Sequence, residues 1–196
     1  MEVQRKMKSN NAFKEYVAPI VVLVAICMAV TFALAATYGV TKPIIEENTA
    51  RAADAARAEL LSKADAFTVY DGELVETVPE QVFVTASHVA DNNCGMVVTV
   101  KSKSFGGLLT TMIGIDDAGA ITGIKITDHA DTPGLGTKAM TIEHLSQYDG
   151  LSELNSNLVK EDTEVEHISG ASISSGAVHE AVYCALEQFK EMGGVN

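Results

Sequence analysis

Residues 16–41 read YVAPIVVLVAICMAVTFALAATYGVT, 26 residues without a charge. As a helix this stretch would reach about 39 Å, against about 30 Å of bilayer hydrocarbon, so it can span with some tilt. Tyr16 and Tyr38 stand near its two ends, where amphipathic rings favour the headgroup region. Pro19 falls in the first turn, where a missing N–H costs little. The rival reading is a cleaved signal peptide, with Ala33-Leu34-Ala35 as its small-residue site. The apolar run is about twice the usual 7–15-residue h-region, which favours a retained anchor.

Charge is segregated around this stretch. Before it stand Arg5, Lys6, Lys8 and Lys14 against Glu2 and Glu15; from Lys42 onward the chain carries 10 basic and 24 acidic residues. Short basic flanks stay on the cytoplasmic side, so residues 1–15 are expected inside and residues 42–196 outside. The whole chain of 196 residues has a net charge of −12, which argues against a nucleic-acid binder with its basic face. A hydrophobic content of 47% excludes wholesale disorder. Three cysteines without a close pair exclude a disulfide scaffold and a cysteine-built metal cage. Cys27 reads as packing in the apolar run, and nothing in the spacing of Cys94 and Cys184 requires them to pair.

Past the anchor, residues 44–65 place Ala53, Ala56, Leu60, Leu61 and Ala64 at helical spacing, which predicts a juxtamembrane helix. Residues 81–87 (QVFVTAS) and 96–101 (MVVTVK) are β-branched runs around the turn Asp91-Asn92-Asn93. Residues 108–115 and 121–127 flank Asp116-Asp117-Ala118-Gly119, a hairpin signal. Residues 138–148 suggest a short helix. Val178, Ala181, Val182, Ala185, Leu186 and Phe189 mark a final one, capped by Ser174 or Ser175. Strands grouped between helices predict an α+β domain. The expected segments are an N-terminus at 1–15, a transmembrane helix at 16–41, a juxtamembrane helix at 42–70 and an exported domain at 71–196.

Two stretches carry candidate chemistry. Residues 166–175 (EHISGASISS) put hydroxyls and a glycine just before a helix, whose free N–H groups and dipole suit a phosphate; helix capping explains the same pattern. Residues 129–138 (HADTPGLGTK) form a loop fixed by one proline and two glycines directly after a strand. Gly134 and Gly136 would let backbone approach a flat ligand, and a surface loop is the plain alternative. A serine hydrolase lacks its G-x-S-x-G elbow here. The five histidines lack metal spacing, and solvated or capping roles are their default.

Taken together, in this order and spacing, the two stretches resemble the FMN-binding domain family. They are most similar to the G subunit of the Rnf complex, the ion-pumping ferredoxin:NAD oxidoreductase of bacterial membranes, and to the related C subunit of the sodium-pumping NADH:quinone oxidoreductase. The resemblance covers nearly the whole chain and includes Phe105-Gly106-Gly107 and Gly114-Ile115-Asp116. The family loop resembles H-x-E-T-P-G-L-G, here HADTPGLG, and the attachment motif resembles D-x-x-S-G-A-T, here EHISGAS. It implies FMN joined through its phosphate to Ser172, where the family has threonine, with Ser169, Gly170 and Ala171 beside it. Thr132, Pro133, Gly134, Leu135, Gly136 and Thr137 would line the ring. It further implies a flavin transferase for maturation, other Rnf membrane subunits as partners, and no activity from the chain alone. The resemblance implies no catalytic residue and no metal ligand. A non-redox sensor domain and a stand-alone flavinylated carrier are the alternatives.

Overall fold

The computed structural model describes residues 16–195; the stretch expected at the cytoplasmic N-terminus, 1–15, lies outside them. The chain divides into two compact units, with the boundary between Arg51 and Ala52. The first contains most of helix α1, Ala18–Leu60, 43 residues with Pro43 inside. Its apolar part is long enough to cross a membrane, and none of that part is buried in the protein. The sequence predicted two helical segments, 16–41 and 44–65. The structure joins them and ends the helix earlier, at Leu60. Pro43 removes one backbone donor, yet the helix runs through it without a break.

The second unit is built on a six-stranded antiparallel sheet. β1 (Phe67–Val69) and β2 (Glu76–Val78) pair with opposite ends of one edge of β3 (Val82–Ala90). β4 (Gly95–Lys103), β5 (Leu108–Asp116) and β6 (Ile121–Asp128) follow as a meander. The β5–β6 turn closes as expected: Asp116 Oδ1 accepts from the N–H groups of Ala118 and Ala120 at 3.0 and 2.8 Å, and Gly119 takes a φ of +87°.

Period-two patterning assigns the faces. Met96, Val98 and Val100 of β4, with Leu109, Ile113 and Ile115 of β5, join Ala177, Val178, Ala181, Val182 and Ala185 of the last helix in the main core. Val97 and Met112 point the other way and meet Ala56, Leu60 and Leu61 at the end of α1. Gly114 and Gly123 face each other across β5 and β6. A Cβ on Gly114 would lie 3.0 Å from the Leu60 carbonyl oxygen, and one on Gly123 3.3 Å from Leu60 Cδ2. This notch seats the end of α1, where Thr122 Oγ1 donates to the Leu60 carbonyl at 2.6 Å. Cys94 packs with the α1 side and Cys184 with the opposite core, so the sheet separates them and both are free thiols.

After β6 come a 3-10 turn (Gly136–Met140), the short α2 (Ile142–Leu145), a second 3-10 turn (Ser146–Tyr148) and α3 (Ser172–Glu191). Between them lies a buried polar network. His179 Nε2 donates to the Ser156 carbonyl at 2.9 Å, which leaves Nδ1 to accept from Tyr148 Oη at 3.3 Å. Asp162, 3.9 Å from His179 Nε2, accepts from the Asn155 and Glu164 N–H groups, each at 2.8 Å. His88, His144 and His179 are all buried, so the expectation of solvated histidines fails for three of five. Each sits on a strand or helix that packs into the domain and carries the ring inside with it.

Burial is the main cause that holds all three histidines below the ordinary value; Arg57 adds to it at His88 and His179 at His144, while the Ser156 carbonyl and Asp162 partly oppose it at His179. The unfolded chain, with histidine pKa near about 6.5, therefore binds protons that the native state does not. Stability should be full above about pH 7 and fall as pH drops through about 6.5. Thermal melting of the full chain in detergent at pH 7.5 and 5.5 checks this: the midpoint should be lower at 5.5, and an equal or higher midpoint contradicts it.

Candidate functional site

The β4–β5 turn, the loop after β6 and the start of α3 converge on a cavity of about 450 Å³. Its lining comprises Phe105 from the turn, Thr132, Leu135 and Gly136 from the loop, and Gly170 to Ser174 from the helix start. Phe105, Leu135 and Ile173 are large apolar side chains that are more than half exposed around it, the walls a flat aromatic ligand needs.

One carboxylate holds the three segments together. Asp131, 4% exposed, accepts from the Ser104 hydroxyl, from the Gly106 N–H at 2.6 Å and from the Ser174 hydroxyl. Burial would raise its pKa; the Ser104, Gly106 and Ser174 hydrogen bonds and the charge of His129 outweigh burial and keep it ionised below the usual carboxylate range. The two loop glycines have separate structural roles. A Cβ on Gly136 would lie 2.8 Å from both Asp131 Cβ and Ser174 Oγ, so Gly136 makes room for the clamp itself. Gly134 takes a φ of +77°, its would-be Cβ meets open space, and its N–H bonds Thr137 Oγ1 at 2.8 Å. Gly134 thus serves the turn, and Pro133, Gly134 and Thr137 are not among the residues that line the cavity.

The helix start also departs from expectation. Neither Ser174 nor Ser175 caps α3; the N-cap is Ala171 and no side chain accepts from the first turn. Ser174 is taken by Asp131. Ser175 is fully buried, accepting from the Ile168 N–H and donating to the Ser172 carbonyl, both at 3.4 Å. The helix begins two to three residues earlier than its cap was expected, so both serines lie inside its first turn. The N–H groups of Ser172, Ile173 and Ser174 therefore have no carbonyl within the helix. The Ser172 side chain is half-buried at the cavity, and its hydroxyl has no partner among the described residues. Ser169 is exposed and does not line the cavity. Sequence reasoning missed Ser104 and Ser174 as clamp residues, because hydroxyls distant in sequence carry no local sign of a shared acceptor.

Three unpaired amides, a free hydroxyl beside them and apolar side chains thus stand on one cavity, and residues 105–187, which include all its lining, match the FMN-binding domain family. The chain is 30% identical to the G subunit of the ion-translocating oxidoreductase complex of Methanosarcina acetivorans, over 92% of this chain and 98% of that one. It is also 30% identical to the G subunit of the Na(+)-translocating ferredoxin:NAD(+) oxidoreductase complex of Acetobacterium woodii, over 87% and 90%. The proton-translocating counterpart of Clostridium ljungdahlii is 25% identical over 86% and 88%. The chain belongs to this family of G subunits, as its motifs implied.

Replacing Asp131 by alanine leaves the buried Ser104 and Ser174 hydroxyls, and the partly buried Gly106 N–H, without their acceptor. Each unsatisfied buried group costs about 1–3 kcal/mol. Asp131→Ala should lower the melting midpoint and speed trypsin cleavage at Lys138. Unchanged melting and cleavage would show that the clamp is dispensable.

Proposed function

We propose that this chain is the membrane-anchored flavoprotein subunit of an ion-translocating ferredoxin:NAD⁺ oxidoreductase, relaying electrons through FMN joined by a phosphoester to Ser172 Oγ. The observation that carries the attachment is the free Ser172 hydroxyl beside three unpaired helix amides on the cavity wall. Its three near alternatives are less suited: Ser174 and Ser175 are buried and engaged, and Ser169 stands outside the cavity.

In this reading the Ser172–Ser174 amides and the helix dipole receive the phosphate. Phe105, Leu135 and Ile173 shield the ring from water, and Gly170 and Ala171 shape the approach to the hydroxyl. Thr132 and Gly136 line the opposite wall, with Pro133, Gly134 and Thr137 setting that loop. FMN, when bound, supplies reversible one- and two-electron redox chemistry. Attachment needs a flavin transferase: the Ser172 hydroxyl loses its proton, a bond forms from Oγ to phosphorus, and the phosphorus–oxygen bond of an activated flavin donor breaks. Covalency would keep the cofactor on a domain standing outside the cell.

Ser172→Ala should abolish covalent flavin, and because this serine makes no capping bond, melting should shift little. Ser172→Thr should retain attachment, since the hydroxyl is kept. Intact mass of the full chain, co-expressed with its flavin transferase, reads both; flavin mass persisting in Ser172→Ala would remove Ser172 from the reading.

We further infer that residues 1–15 are cytoplasmic, 16–41 span the membrane and 42–196 face outward, supported by the basic start and the acidic remainder. Protease added to spheroplasts should digest an epitope at the C-terminus and spare one at the N-terminus. The reverse pattern would invert the topology.

A further inference from the structure

On the α1 side of the sheet, away from the flavin cavity, a second cavity of about 420 Å³ opens between the end of α1 and β1. Asp54, Arg57, Asp65, Phe67 and His88 are among the residues that line it. Two of its nitrogen atoms, Arg57 Nε and His88 Nδ1, are buried and have no hydrogen-bond partner among the described residues. His88 is 8% exposed, and the Arg57 side chain 15%. Buried donors without acceptors are uncommon, and each calls for an explanation.

The arginine is only partly satisfied. Asp54 Oδ1 pairs with Nη1. The opposite edge of the guanidinium, formed by Nε and Nη2, has no partner among the described residues. That edge is the planar fork that grips two oxygens of one carboxylate or phosphate group. Burial, reinforced by the charge of Arg57 and opposed by Asp54, keeps His88 neutral. A neutral imidazole can carry its proton on Nδ1 and so offer a third donor. Asp54 and Asp65, also on the lining, add negative charge, which favours a singly charged guest over a doubly charged one.

We propose that the Arg57–His88 cavity binds a singly charged oxyanion, a carboxylate or a phosphodiester, held by Arg57 Nε and Nη2 with His88 Nδ1 as the third contact. This site is independent of the flavin reading, and its test does not require flavin. A free carboxylate and a lipid headgroup phosphate share this chemistry, and the experiment separates them.

The full chain, labelled with ¹⁵N-arginine and ¹⁵N-histidine, would be observed by NMR in detergent with acetate added. A parallel sample would sit in nanodiscs of phosphatidylglycerol, with a sugar-headgroup, phosphate-free lipid as its control. A saturable shift of the Arg57 Nε–H and His88 ring signals with acetate identifies a free carboxylate. A shift confined to the phosphatidylglycerol nanodiscs identifies a headgroup. In either case Arg57→Gln should abolish the His88 shift, and Arg57→Lys, which keeps charge but loses the fork, should weaken binding at least tenfold. If Arg57→Gln does not fold, the Arg57 Nε–H signal of the wild type decides alone. No saturable shift in any arm, or an equal His88 shift in Arg57→Gln, overturns the proposal.

Discussion

The candidate flavin cavity depends on one buried charge. Asp131 lies between a turn, a loop and a helix that meet nowhere else in sequence, and its carboxylate takes a donor from the turn twice and from the helix once. A carboxylate in a dry site is unfavourable alone; three donors make it the low-energy state and make each segment's position conditional on the others. Gly106 and Gly136 follow from the same constraint. A side chain at Gly106 would strike the Ala130 carbonyl at 2.2 Å, and one at Gly136 would strike the clamp. The glycines are therefore consequences of the clamp as much as of any ligand.

The other face of the sheet obeys a matching rule of close approach. Gly114 and Gly123 leave a notch in the β5–β6 pair, and the last carbonyls of α1 fit it because no Cβ stands there. The Leu60 carbonyl, which a helix end leaves without an internal donor, finds one in Thr122. The sheet is thus covered on both faces, by α3 on one and the end of α1 on the other. The hairpin end with Phe105 is left free to form the cavity wall.

How much of this was legible in the sequence follows from the range of each interaction. The apolar stretch, the four long strands and the Asp116–Gly119 turn are set by local period and local hydrogen bonds, and they stand where the residues predicted. β1 and β2 are three residues each, too short for a period to register. The two candidate motifs were visible because glycine, proline and serine mark turns and helix starts locally. Their joint use of Asp131 was not, since Ser104 and Ser174 are ordinary serines until the fold brings them to one carboxylate. The buried histidines escaped notice for the same reason.

The missed cap says most about the site. An N-cap side chain ordinarily contributes about 1 kcal/mol to a helix, and three serines stand within the first turn of α3, yet none accepts from it. Ser174 is turned to Asp131 and Ser175 inward, while Ser172 stands after the N-cap position, where its hydroxyl cannot reach the amides ahead. The amides are left open to an incoming anion, and the Ser172 hydroxyl remains free beside them. A stability device omitted where the sequence has the residues to supply it is expected at a site under functional constraint.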